Sequence, residues 1–475
     1  MTAFGADVRL IDAGTGQTLS GHALEARILA MENELRTMPP GLLLLRTPWT
    51  IDTVCRYLAA LRRHRPLALV DPDIESGTLA ELITRYSPAG LWQPGTDMAA
   101  PEGYSNDAHG WLRETTTAAA AVHPALALLL TTSGSTGAAR MVRLSHDAVL
   151  TNASAIVRAL DITSWEIAPT SLPFHLGYGL SVLNSHLLAG ATVVVTAQTV
   201  IGPDFWSAVD THHATSFAAV SHVYELLARL RWKPSAHASL RTLTQSGSRM
   251  RPELIARITD DIGHAGGRFY LMYGQTEATA RMAVLPSHRI AEKPGSVGLA
   301  VPGGDFSIRV QSGEETREAD VAGEVIFRGP SVMMGYADDA ADLARDDDQG
   351  GVLHTGDIGR FDQDGFLYLE GRLKRIAKLF GQRINLDAVE RLAAEAGAQG
   401  VSAAVPLDDE TIALWCEGET EPGRLAALAR GIAERLNVNH HGIVAHGIEK
   451  LPLLRNSKID YRALIRLANE PGAST

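Results

Sequence analysis

Residues 131–137 read Thr-Thr-Ser-Gly-Ser-Thr-Gly. An apolar run over 125–130 precedes them and reads as a buried strand. After them, Ser145-His146 leads into an apolar-periodic segment over 148–160, which reads as a helix. A run of small hydroxyl and glycine residues has nothing to bury. Glycine opens backbone torsions that other residues avoid, and free N–H groups with hydroxyls can surround an anion. A strand, such a loop and a helix start together predict a phosphate cradle. No Gly-Lys-Ser/Thr follows at the spacing of a Walker A loop, so a P-loop is excluded. The competing reading is a plain surface turn.

Outward from the loop, both periodicities alternate. The segments 24–35, 51–61 and 78–86 are helix-like, and 42–45 and 67–70 are strand-like. After the loop come strands at 167–172, 192–195, 215–218, 240–245 and 268–272, with helices at 180–188, 205–211 and 223–230. Short links between alternating strands and helices imply a mostly parallel α/β architecture. From about residue 294 to 369 the chain turns glycine-rich with short strands, as in a β subdomain. Residues 337–350 are acidic and weakly apolar and read as a solvated surface loop. A last α+β unit starts near 371. The expected fold class is therefore α/β. Residues 1–370 form a large N-terminal domain with two mostly parallel α/β subdomains plus a β subdomain, and 371–475 form a small mobile α+β domain.

The chain has 475 residues, more than one simple core holds. Its net charge of −11 disfavours nonspecific nucleic-acid binding. Cys55 and Cys416 match no metal or redox spacing and read as buried thiols of a reducing compartment. No apolar run approaches the roughly 20 residues that span a bilayer, and the first twelve residues lack the features of a signal peptide. The expected location is the cytoplasm.

The run TTSGSTGAARMVRLSH resembles the nucleotide loop of the acyl-adenylate-forming superfamily, which includes acyl- and aryl-CoA synthetases, stand-alone adenylation enzymes and firefly-type luciferases. Where family loops end in Pro-Lys-Gly, this chain has Ala139-Arg140-Met141. Further segments resemble the family in the same order, from roughly residue 125 to 465. The resemblance implies that Thr132, Ser133, Gly134, Ser135, Thr136 and Gly137 cradle phosphate. It assigns Tyr273 of Tyr-Gly-Gln-Thr-Glu to the adenine face beside Gly274, Thr276 to the α-phosphate, and Glu277 to Mg²⁺. Those roles suit an aromatic ring, a hydroxyl donor and a hard carboxylate oxygen. Ser246, Gly247 and Ser248 would line the adenine pocket. Asp357 of His-Thr-Gly-Asp would accept both ribose hydroxyls, and Arg372 would contact ribose or phosphate. Taken singly, each of these segments also reads as a strand-end turn.

By the same resemblance, Lys374 marks the hinge of the small domain. Lys378 and Gly381 would be presented to the second half-reaction. Lys458 in Arg-Asn-Ser-Lys would bridge the acid's carboxylate and the α-phosphate, with Ser457 where the family has glycine. His175 in LPFHLGYGL would border the acid pocket; its alternative is a satisfied core histidine. Amino-acid-activating relatives place an aspartate near here, where this chain has Leu176, Gly177 and Tyr178. A buried ammonium without a carboxylate is costly, so an acid without an α-amino group is expected.

The resemblance thus implies an ATP- and Mg²⁺-dependent ligase. It would form an acyl-AMP from a small carboxylic acid and pass the acyl group to CoA or to the phosphopantetheine of an acyl carrier protein. The alternatives are an amino-acid-activating or amide-forming adenylation enzyme, a luciferase-like oxygenase, and a nucleotide-binding regulator without catalysis. Arg372, Lys374, Arg375, Lys378 and Arg383 together would offer a basic patch to a carrier or to CoA.

Overall fold

The computed structural model describes residues 7–93, 99–114, 120–131, 140–380, 382–398, 400–454 and 459–468. The chain divides into two compact units, Met1–Phe306 with Ile326–Leu353, and Ser307–Val325 with His354–Thr475. The architecture is mixed α/β.

In the first unit an eight-stranded sheet runs in the order Gly335–Ala337, Met141–Ser145, Leu126–Thr131, Leu67–Val70, Leu43–Arg46, Gly90–Trp92, Gly110–Arg113, Tyr104–Asp107. Its central strands Leu126–Thr131, Leu67–Val70, Leu43–Arg46 and Gly90–Trp92 are parallel. These strands are apolar runs without alternation because both faces are covered. A second set holds Ser216–Val220, Thr242–Ser246 and Arg268–Tyr273 in parallel, with Tyr273 paired to Ala283 on an antiparallel neighbour. A four-stranded sheet joins Ile167–Pro169, Thr192–Val195, Arg9–Asp12 and Thr18–Ser20. Helix Gly21–Thr37 buries Leu24, Ile28, Met31 and Leu35 on one face, as their spacing predicts.

The hydroxyl-rich loop is not followed directly by a helix. Residues Met141–Ser145 return antiparallel to Leu126–Thr131, and the helix His146–Leu160 starts only then, with Ser145 accepting a hydrogen bond from the Ala148 N–H at 3.0 Å. The expected strand–loop–helix cradle is instead a hairpin. Met141, Val142, Arg143 and Leu144 are all fully buried, so the run lacks the alternation that marks a half-buried strand.

Arg143 is the unexpected member of that run. Its guanidinium donates to the carbonyls of Met334 (2.8 Å) and Arg345 (2.6 Å) and pairs with Asp348 at 2.7 Å. Leu343 is also buried. Residues 337–350 are therefore not simply a solvated loop: Arg143 pins the Arg345 and Asp346 carbonyls and the Asp348 carboxylate to the return strand. The sequence hid this because the acidic side chains dominate the composition.

In the second unit, residues 357–361 pair antiparallel with Leu367–Arg372, placing Asp357 opposite Arg372. A hairpin of Ile376–Leu379 and Gln382–Asn385 follows, then helix Leu386–Glu395. Strands Ser402–Pro406, Ile412–Glu417 and Ile443–Ile448 form a three-stranded sheet. Helices Leu386–Glu395 and Pro422–Leu436 share a core with it, where Val389, Leu414 and Ile432 meet. Both cysteines are buried and unbridged, as expected.

Candidate functional site

The first unit carries most of the expected site, at the C-terminal ends of parallel strands, where open α/β sheets bind ligands. Strand Arg268–Tyr273 ends at Tyr273, and the chain turns at once. A Cβ on Gly274 would lie 1.6 Å from the Ala280 carbonyl oxygen, so only glycine fits. The turn then makes a short 3₁₀ segment, Thr276–Ala278, and two residues take left-handed torsions, Thr279 (φ 59°) and Ala280 (φ 97°). Alanine rarely adopts such a torsion. Neighbouring bonds hold it: the Thr279 hydroxyl donates to the Ser331 carbonyl at 2.7 Å, and the Met333 N–H donates to the Glu277 carbonyl at 2.8 Å.

Glu277 is half-buried, and its Oε1 accepts a hydrogen bond from the Tyr336 hydroxyl at 2.8 Å. Burial first, and the facing carboxylate second, push the Tyr336 phenol well above its usual range, so it remains a donor. The Arg140 guanidinium lies 5.5 Å over the Tyr336 ring and pairs with Asp338 at 3.2 Å. Arg140 is the residue that stands where the family has lysine. The C-terminal end of the hydroxyl-rich loop is thereby linked, through one aromatic ring, to the expected metal-binding carboxylate. Sequence reasoning missed Tyr336, although it lies in the segment GEVIFRGPSVMMGY; its partner is 59 residues away.

Gly177 starts helix Gly177–Leu188 with no side-chain cap, and it lies against the same turn. A Cβ there would sit 3.4 Å from Thr276 Oγ1 and 3.5 Å from the Ala280 side chain. The N-terminal end of this helix thus stands beside Thr276. His175 precedes it and is 8% exposed. Its Nδ1 lies 3.2 Å from the Thr47 hydroxyl, which itself donates to the Val70 carbonyl at 2.9 Å. With its proton so directed, Thr47 accepts from Nδ1–H, and Nε2 faces Asp71 at 3.8 Å. Burial lowers the His175 pKa and Asp71 opposes it. Thr47 and Asp71 follow the C-terminal ends of adjacent parallel strands, so His175 is a satisfied, buried histidine placed at those strand ends.

The Ser246-Gly247-Ser248 turn ends strand Thr242–Ser246. Gly247 has φ 98°, which favours glycine. The Ser248 carbonyl accepts from Ser221 Oγ and from Gln245 Nε2, both at 2.7 Å, which fixes the turn.

In the second unit, Asp357 is 4% exposed and Arg372 donates from Nε to its Oδ1 at 2.9 Å. A Cβ on Gly371 would lie 2.0 Å from the Asn385 side chain, which would have to swing away to admit it. Lys374 and Lys378 are exposed. Arg375 is turned inward, paired with Asp387 and Glu390 and stacked 3.9 Å over Tyr461. It therefore leaves the expected basic patch. Thr132, Ser133, Gly134, Ser135, Thr136, Gly137, Gly381 and Lys458 lie outside the described residues.

A model of the AMP-binding enzyme family matches residues 10–337. The feruloyl-CoA synthase of an Amycolatopsis species is 32% identical over 268 residues, which is 55% of this chain and 52% of that protein. The matched stretch thus spans about half of that relative's length. An L-proline–[L-prolyl-carrier protein] ligase of Streptomyces coelicolor is 29% identical over 359 residues, 71% of this chain and 65% of its own. Among solved structures, ATP-bound MatB from Rhodopseudomonas palustris superposes with a TM-score of 0.77 at 20% identity, covering 98% of this chain and 96% of that one. At that identity the likeness bears on the fold.

Proposed function

We propose that this chain, which belongs to the AMP-binding enzyme family, is an ATP-dependent ligase that activates a carboxylic acid as acyl-AMP, releases pyrophosphate and transfers the acyl group to a thiol. The observation that carries this reading is the turn Gly274–Ala280. It holds the Thr276 hydroxyl beside an uncapped helix start and presents a carboxylate already oriented by Tyr336.

In the first half-reaction the acid's carboxylate attacks the α-phosphorus of ATP. Thr276 donates to an α-phosphate oxygen, and the start of helix Gly177–Leu188 adds its positive dipole end. Tyr273 packs on the adenine and the Ser246–Ser248 backbone lines its edge. Asp357 receives the ribose hydroxyls, with Arg372 holding one carboxylate oxygen in place. Glu277 suits Mg²⁺, since it is a hard oxygen donor with one oxygen fixed by Tyr336. Bound Mg²⁺ neutralises phosphate charge that would otherwise repel the attacking carboxylate. Thr132, Ser133, Gly134, Ser135, Thr136 and Gly137 cradle the β- and γ-phosphates. His175 borders the acid, and Lys458 bridges acid and α-phosphate.

In the second half-reaction, rotation of a small domain that starts at residue 371, about Lys374, withdraws Lys458. Lys378 and Gly381 then face the incoming thiol. The acceptor is CoA or a carrier-protein phosphopantetheine, the first reading supported by the feruloyl-CoA synthase relative. The prolyl-carrier relative favours a carrier-protein phosphopantetheine as the second reading, with Lys374 and Lys378 as the exposed cations that would meet an acidic carrier.

The test is acid-dependent ATP–pyrophosphate exchange over fatty, aryl, hydroxy, dicarboxylic and amino acids, with Lys458→Ala alongside. Exchange with one acid class, strongly reduced in the variant, supports adenylation; adding CoA or a carrier protein then identifies the acceptor. ATP binding without exchange with any acid would favour a regulator instead.

A further inference from the structure

A buried guanidinium loses its hydration and normally recovers it from a carboxylate. Arg281, four residues beyond Glu277, breaks that pattern. It is 1% exposed, and its Nε and Nη1 make no hydrogen bond. Its guanidinium carbon lies 5.0 Å over the Tyr178 ring. Its backbone carbonyl accepts from Asn152 Nδ2 at 2.8 Å, so the main chain is fixed while the side chain is left over. Burial lowers its pKa to about 10, with Tyr178 opposing, and the group stays cationic at neutral pH.

The side chain lines a narrow recess with His186, Ser216, Thr242, Thr244 and Glu166, closed by apolar neighbours. Thr242 Oγ1 is a second buried polar atom without a hydrogen-bond partner. His186 is neutral, brought down to about 4 chiefly by burial. Its Nδ1–H donates to the Val182 carbonyl at 2.8 Å, and its Nε2 faces the Ser216 hydroxyl at 3.3 Å. Glu166 accepts from the Thr215 hydroxyl. The recess therefore has two unused donor groups, the cationic Arg281 guanidinium and the Thr242 hydroxyl, beside the Glu166 carboxylate, and no ion pair to Arg281 among the described residues. It lies next to the catalytic turn: Gly177 touches Thr276, and Tyr178, the next residue, stacks under Arg281.

We propose that Arg281 determines substrate specificity by receiving a second carboxylate at the far end of the acid, so that the chain activates a short dicarboxylic acid. This rests on the acid-activating reading above. The reactive carboxylate sits at Thr276, and the distal one binds the Arg281 fork with the Thr242 hydroxyl donating beside it. A charge-assisted fork of this kind selects strongly against an uncharged tail, which would leave the guanidinium unpaired.

The experiment compares matched acids on the full chain in the presence of AMP by calorimetry: succinate with butyrate, and glutarate with valerate. Wild type is expected to bind a diacid at least about tenfold more tightly than its matched monoacid. Arg281→Met, which keeps length and removes charge, is expected to abolish or invert that preference. Arg281→Lys, which keeps the charge without the fork, should retain part of it. Equal affinities in wild type, absence of binding by every acid, or an unchanged preference in Arg281→Met overturns the proposal. The wild-type comparison stands even where a variant does not fold. Pyrophosphate exchange separates the two readings. Diacid preference in binding without any exchange keeps Arg281 and removes adenylation, whereas exchange with monoacids as good as with diacids keeps adenylation and removes Arg281.

Discussion

Gly274→Ala isolates the geometry on which the proposed chemistry depends. The new methyl carbon would begin 1.6 Å from the Ala280 carbonyl oxygen, 2.5 Å from its carbonyl carbon and 2.8 Å from the Arg281 Cα. All three are backbone atoms, so no rotamer change relieves the clash. The turn has to retreat by more than about 1 Å to reach ordinary contact. Overpacking of this kind costs about 1–3 kcal/mol of folding stability. The larger effect falls on activity. Thr276 and Glu277 lie inside the displaced turn, and a misplacement of about 1 Å in a catalytic group costs on the order of 100-fold in rate. Gly431→Ala is the matched control. It lies inside helix Pro422–Leu436 with nothing within 4 Å of its added Cβ, and gains about 0.5–1 kcal/mol from helix propensity. Urea unfolding and acid-dependent pyrophosphate exchange, run on both variants, give the answer. Gly274→Ala with wild-type exchange and wild-type stability would refute the reasoning that this turn holds the reacting groups.

Tyr336→Phe removes the hydroxyl that orients Glu277; the expected result is a stability loss of about 0.5–1.5 kcal/mol and a raised Mg²⁺ requirement for exchange, read from a magnesium titration. Chelation with EDTA should abolish exchange and added Mg²⁺ should restore it, while far-ultraviolet circular dichroism stays unchanged. The third concerns acid. His186 has its pKa lowered to about 4 in the folded chain, so between the unfolded value near 6.5 and about 4 the unfolded state binds more protons. Its contribution to stability is full above pH 6.5 and falls as pH drops, by at most about 3 kcal/mol at the low end. His186→Gln should reduce the stability difference between pH 7 and pH 5 measured by urea unfolding; an unchanged difference would count against a neutral buried histidine.

Much of this protein is local and therefore readable. The spacing of Leu24, Ile28, Met31 and Leu35 describes one face of a helix, and the apolar run over 67–70 marks a covered strand, because each pattern reports contacts its own segment makes. Helix Pro252–His264 is equally local, with a proline at its start and Leu254, Ile258 and Ile262 at helical spacing. The motifs Tyr273–Glu277, Ser246–Ser248 and Asp357–Arg372 carry their residue types in the sequence, and the structure sets each at a strand end or on paired strands.

What the sequence by itself determined was the α/β character and the order of the motifs, whose residues are the ones proposed to meet a nucleotide. Tertiary structure decided which of those residues have partners. Met141–Ser145 is a strand because both its faces are covered; Arg375 is lost to Asp387 and Glu390; Tyr336 reaches Glu277 across 59 residues. Arg281 reads along the chain as one more basic residue. Only burial, which depends on everything folded around it, makes it a cation that lacks an anion. Pairing and desolvation are properties of three-dimensional neighbours, and the one-dimensional pattern holds no record of them.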